Sequence, residues 1–158
     1  MKKMMCITKG FLRLGFLVIL VGCLAGCGNK QVAADTIGTR YEQVFMKSSG
    51  TNPNDIADEL MKEKLVEYDL VKTDVVPGYL SGFDKEIHGF TSGVQFAPMI
   101  GSIPFVAYVL ESDNPKALAD TLEAEANPAW NICTEADEKV VAVNNNFVFF
   151  VMCANKDE

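Results

Sequence analysis

The chain is poor in the residues from which most sites are built. It holds one histidine, one tryptophan and five cysteines in 158 residues, and no acidic residue precedes Asp35. A zinc or other transition-metal centre needs three or four nitrogen and sulfur ligands at ordered spacings, and one histidine with dispersed cysteines does not supply them. Positive charge is scarce too. Fourteen Lys and Arg against 21 Asp and Glu leave a formal net charge of −7, which excludes the basic face that nucleic-acid phosphates require. Twelve glycines and six prolines are too few for a low-complexity chain, and 49% hydrophobic residues are too many for a disordered one. No Gly-x-x-x-x-Gly-Lys, Gly-x-Ser-x-Gly or His-Glu-x-x-His string occurs, so no phosphate cradle, nucleophile elbow or zinc-protease helix is written in the chain. The length suits one domain.

What is present begins at the N-terminus. Lys2, Lys3, Lys9 and Arg13 form a basic start, and Leu14 to Gly26 gives thirteen residues without a charge. A bilayer-spanning helix needs about 20 such residues, so this run reads as a signal-peptide core. It ends in Leu24-Ala25-Gly26-Cys27. That string resembles the bacterial lipobox, and the resemblance implies a diacylglycerol on the Cys27 thiol and cleavage just before it. Leu20-Val21-Gly22-Cys23 fits the same pattern more loosely and would place cleavage four residues earlier. Cys27 leaves the longer apolar core, and Ala25 is the smaller residue. The alternative is an uncleaved anchor or a core helix with Cys27 as an ordinary buried thiol, but nothing downstream complements a buried helix so close to Lys2 and Lys3. Two acyl chains, at about 0.8 kcal/mol per buried methylene, hold a protein on a membrane stably where one is marginal.

Loss of residues 1–26 would leave 132 residues with ten Lys and Arg against 21 acids, a net charge of −11. Such a domain is repelled by an anionic membrane, so the lipid does the anchoring. Residues 27–36 read as the lipidated end and a short tether, and residues 37–158 as a single globular domain on the extracytoplasmic face of the cell membrane.

Within that domain the local signals place helices first. Thr39-Arg-Tyr-Glu42 has the form of a capping box, and Tyr41, Val44 and Phe45 follow at helical spacing, which predicts a helix over 40–48. Asn52-Pro53 starts a second helix over about 53–65, with Asp55, Asp58 and Glu59 in its first turns. Val75-Val-Pro-Gly-Tyr79 signals a turn, while residues 80–89 show no period. From Val94 to Leu110 the pattern becomes strand-like, and the nearly all-apolar run 103–110 suits a strand covered on both faces. Asn114-Pro115 starts another helix, which Asn127-Pro128 ends. Residues 139–143 and 147–152, joined at Asn144-Asn145-Asn146, predict a hairpin. The sum is an α+β domain: an antiparallel sheet of four to five strands with helices packed on one face. The layout over residues 90–153 resembles small uncharacterised lipoprotein families of Gram-positive anaerobes. That likeness implies a membrane-anchored protein and no catalytic residue.

Candidate chemistry is thin. Cys6 and Cys23 would leave with the leader, and Cys133 with Cys153 remain as an even pair in an oxidising compartment. A disulfide between them would close about twenty residues and stabilise by roughly 3 kcal/mol. It requires residues 130–134 to lie beside the last strand; otherwise both are thiols packed as small hydrophobes. His88 with Asp84 and Glu86 forms the one acid/base group available to an enzyme, and a loop histidine beside Glu86 is its plainer reading. Asp84-x-Glu86, Asp137-Glu138 and the Asp55, Asp58, Glu59 group lack the ordered spacing of a calcium loop. Tyr79, Phe83, Phe90 and Phe96 are core residues, or they make the 77–101 segment an apolar contact surface. The reading that follows is a non-catalytic binding or accessory module. Its partners are the membrane, through the lipid, and an envelope protein. No cofactor, metal or nucleic acid is implied.

Overall fold

The structure, a computed structural model, describes residues 35–131 and 133–154. The leader, Cys23 and Cys27 lie outside the described residues. The elements run α1 (Ile37–Lys47), α2 (Pro53–Lys62), β1 (Leu70–Val75), β2 (Gly78–Tyr79), β3 (Glu86–Ile87), β4 (Ser92–Pro98), β5 (Val106–Glu111), α3 (Pro115–Glu125), β6 (Glu138–Asn144) and β7 (Phe147–Cys153).

Five strands form one antiparallel sheet in the order β1-β4-β5-β7-β6, and β2 pairs with β3 in a separate two-stranded ribbon. The α+β class and the antiparallel sheet of five strands therefore stand. The β6–β7 hairpin turns through Asn145, whose φ of 56° is a conformation asparagine tolerates. It swings β7 inward against β5 and leaves β6 as an edge. Every residue of β7 is buried.

The helices depart from the expectation of one covered face. α1 and α2 supply Tyr41, Phe45, Ile56 and Leu60 to a core with Val94, Phe96, Val109 and Phe149. The other sheet face carries Val106, Tyr108, Leu110, Val148, Phe150 and Met152, and α3 covers it with Leu118 and Leu122. The reason lies in the strands. Val106–Leu110 and Phe147–Cys153 are apolar at every position, so both faces must be covered. One helix cannot cover the second face alone. Leu80, Phe83, Ile87 and Phe90 complete it, presented by an irregular strap over residues 80–90. Gly82 belongs to that strap, with a φ of 91° and a position so close to Met152 that a Cβ would lie 2.6 Å from the Met152 Cε.

Two helix boundaries also differ from the local reading. Thr36, not Thr39, is the N-cap of α1: its backbone is extended, its side chain accepts from the Thr39 amide, and the Thr39 hydroxyl takes the return bond from the Thr36 amide at 3.0 Å. Glu138 then reinforces this end, accepting from the Gly38 amide at 2.9 Å and from the Thr36 hydroxyl. α2 stops at Lys62 because Lys64 turns left-handed, with a φ of 47°, and sends Val66 into the core. β1 and β2 are the short strands that flank the Val75–Tyr79 turn, and β1 pairs with β4. β1 is an edge strand whose residues are half-buried or exposed, so it carries little of the hydrophobic alternation that marks a strand.

Phe149 and Phe150 are neighbours that fill opposite cores. Phe149→Ala and Phe150→Ala should each cost about 3–5 kcal/mol in urea unfolding. Val143→Ala on the exposed edge of β6 should stay within about 1 kcal/mol.

Candidate functional site

The sheet register defines two ends of the domain. At one end β1 starts at Leu70 opposite Pro98, β5 starts at Val106 opposite Met152, and β6 starts at Glu138 opposite Cys153. Glu138 bonds to Thr36, so the chain enters the domain at this end. At the far end lie the β1–β2 turn, the start of β4, and the β6–β7 turn.

Asp84, Glu86 and His88 sit on the strap and its ribbon and line neither the far-end cleft nor the one beside Trp130. Both oxygens of Asp84 accept from the Asn127 side-chain amide, at 2.9 and 3.1 Å. The neighbouring Lys85 pairs with Glu125 at 2.7 Å, and the Asn127 amide donates to the Gly82 carbonyl at 2.8 Å. These contacts bind the strap to the C-terminal end of α3. Glu86 and His88 meet at 3.0 Å on the surface, both substantially exposed. The three residues do not converge on a cavity. Asp84 is held by the Asn127 side-chain amide, and Glu86 with His88 faces solvent.

The acids of α2 are likewise divided among separate partners. Asp55 accepts from Thr51 and Asn52, Asp58 pairs with Lys72 at 2.6 Å, and Glu59 accepts from Ser49. The Glu59 carboxyl is held below its usual range, first by the Ser48 side chain and then by the Ser49 bonds, which outweigh a small desolvation. Among the described residues no group of three His, Cys, Asp or Glu is placed to hold a metal ion.

The two cysteines are free thiols, Cys133 exposed and Cys153 buried. The condition for a bridge fails in this fold, because β5 and β6 occupy both sides of β7 and leave no place there for residues 130–134. That segment instead lies on the β4–β5 loop, with the Asn131 amide donating to the Gly101 carbonyl at 2.6 Å and Thr134 to the Ser102 carbonyl at 3.0 Å. Cys153 points its thiol at Glu138, 3.6 Å away. Burial first, and the adjacent Glu138 carboxylate second, push that thiol well above the ordinary cysteine range. It stays protonated and inert.

Of the aromatic residues in the 77–101 segment, Phe83, Phe90 and Phe96 are core. Tyr79 is the exception, 76% exposed beside Val76 at 75%. Val76 lines a far-end cleft of about 410 Å³ with Asn52, Asn54, Asp74, Thr91 and Ser92 among others, while Tyr79 stands in the ribbon opposite Glu86. The floor is partly fixed: the Asn54 amide donates to Asp74 at 3.1 Å, and Ser92 donates to Glu111 at 2.9 Å. Asn146 takes the other Glu111 oxygen at 2.9 Å, so the far end is a rigid polar surface with an apolar rim. Periodicity missed this rim because Val76 and Tyr79 bracket a turn and contribute to no helical or strand face. The turn signal alone marked them.

Compared with known proteins, the chain matches no family model, no curated protein and no solved structure.

The thiols give a direct check of this geometry. In the mature native protein at mild alkaline pH, a disulfide-exchange reagent should find one fast thiol, Cys133, and one that reacts only on unfolding, Cys153. Cys133→Ser should remove the fast phase entirely. Two blocked thiols that appear only after reduction would contradict the arrangement.

Proposed function

We propose that the chain is an extracytoplasmic lipoprotein, cut before Cys27 and held on the cell membrane by a diacylglycerol on that cysteine. Its folded domain serves as a non-catalytic binding or accessory module for an envelope partner. The observation that carries this reading is the basic start, the thirteen-residue apolar run and Leu24-Ala25-Gly26-Cys27 in direct succession. The domain's chemistry supports it. The residues that would serve an enzyme, Asp84, Glu86 and His88, are tied to a structural amide or paired in solvent. No helix among the described residues is long and apolar enough to cross a membrane.

The partner-facing surface is the far end. Val76 is exposed on the lip of a polar cleft and Tyr79 is exposed on the ribbon that follows it, the composition of a small recognition surface with an aromatic anchor. The tether enters at the opposite end, so an anchored domain presents this surface away from its attachment point.

Palmitate labelling of cells carrying the wild-type chain should mark the protein and place it in the membrane fraction. Cys27→Ala should abolish the label and keep the leader uncleaved, while Cys23→Ala should change neither. Label retained in Cys27→Ala and lost in Cys23→Ala would move the anchor to Cys23. Label absent from the wild type would overturn the reading.

A further inference from the structure

The end of the domain where the chain enters carries an apolar tip of its own. The β4–β5 loop runs Pro98-Met-Ile-Gly-Ser-Ile-Pro104, and at its apex Met99 is 85% and Ile100 61% exposed. These are large apolar side chains with no packing role in either core. Trp130 lies half-buried beside the same loop, in a cleft of about 320 Å³ with Gly101, Ser102, Asn131 and Cys133.

The register places this tip and the start of α1 at one end of the sheet. Pro98 closes the β1–β4 ladder opposite Leu70, Val106 opens β5 opposite Met152, and Glu138 opens β6 opposite Cys153 while holding Thr36. Cys27 and Asp35 are eight positions apart, a stretch that spans at most about 28 Å when fully extended. A lipid at Cys27 therefore keeps the tip within a few nanometres of the acyl chains, at an effective concentration where a weak interfacial affinity suffices.

We infer that Met99 and Ile100 form a second membrane contact, inserting into the headgroup–acyl boundary and fixing the domain upright with its far end outward. The occupant is a lipid surface, and the inference rests on the lipid anchor proposed above. Charge sets its lipid preference. Glu67 and Asp69 precede β1, and Glu135 and Asp137 run beside the loop, all exposed at this same end. Four carboxylates face an anionic surface unfavourably, so the contact is apolar, favours zwitterionic lipid, and weakens as anionic lipid is added.

The single native tryptophan makes the test clean. The lipidated full chain carrying Trp130→Phe and Met99→Trp, with unchanged circular dichroism, is reconstituted into vesicles of brominated phosphatidylcholine. A matched protein carries Trp130→Phe and Val76→Trp at the far end. The tip tryptophan should be quenched several-fold more strongly than the far-end one, with a blue-shifted emission, and the quenching should fall as phosphatidylglycerol replaces phosphatidylcholine. Equal, weak quenching at both positions in protein that floats with the vesicles would overturn the tip contact and leave the anchor intact. Protein that fails to float and carries no lipid would overturn both. A blue shift that appears without vesicles and rises with protein concentration would assign the tip to a second copy of the chain, and would overturn the lipid contact.

Discussion

The fold depends on a strand that is apolar on both sides. Phe147–Cys153 is buried at all seven positions, lies between β5 and β6, and faces a separate core on each side. A strand of this kind cannot leave either face to water. Everything else in the domain is arranged to cover it. Two helices take one face, and one helix with the 80–90 strap takes the other. The strap's contacts to α3, through Lys85 with Glu125 and Asp84 with Asn127, belong to this covering task. Asp84, which looks catalytic when read as a string, thus has a structural partner.

A second constraint sits at the sheet end where the chain enters. Glu138 begins β6, yet it accepts from the first turn of α1 and stands against the Cys153 thiol at the end of β7. A carboxylate at a helix N-terminus satisfies orphan amides and meets the positive end of the helix dipole. Its position couples three elements and fixes where the tether leaves. Met99 and Ile100 lie at this same end of the sheet, and the exposed Val76 lies at the other.

How much of this was legible in the string of residues depended on how local each cause was. Asn52-Pro53 and Asn114-Pro115 start their helices through contacts within one turn, with the Asn52 and Asn114 side chains accepting from the amides of Asp55 and Ala117. The asparagine hairpin is local in the same way, and all three were readable. The start of α1 was misplaced by three residues because its reinforcement comes from Glu138, a hundred positions away from Gly38. The strands flanking the Val75–Tyr79 turn had no readable bounds, since an edge strand such as β1 needs little alternation. The strap has no period because Gly82 and Gly89, each at a φ of 91°, break it into pieces that place Leu80, Phe83, Ile87 and Phe90 individually. Which face α3 covers is a property of topology that helical spacing does not encode. Of the candidate sites, the plainer reading of His88 beside Glu86 was visible in the sequence. The exposed pair Met99 and Ile100 fell inside the strand-like stretch from Val94 to Leu110, and the register ends β4 just before it, at Pro98.

The central claim is that a lipid on Cys27 joins this domain to the membrane. Intact mass spectrometry of the protein extracted with detergent from its native membrane tests it most directly. The account requires a chain beginning at Cys27 with the added mass of a diacylglycerol and no residue of the leader. A polypeptide that retains Met1, or one that starts near Cys27 with an unmodified thiol there, would contradict it.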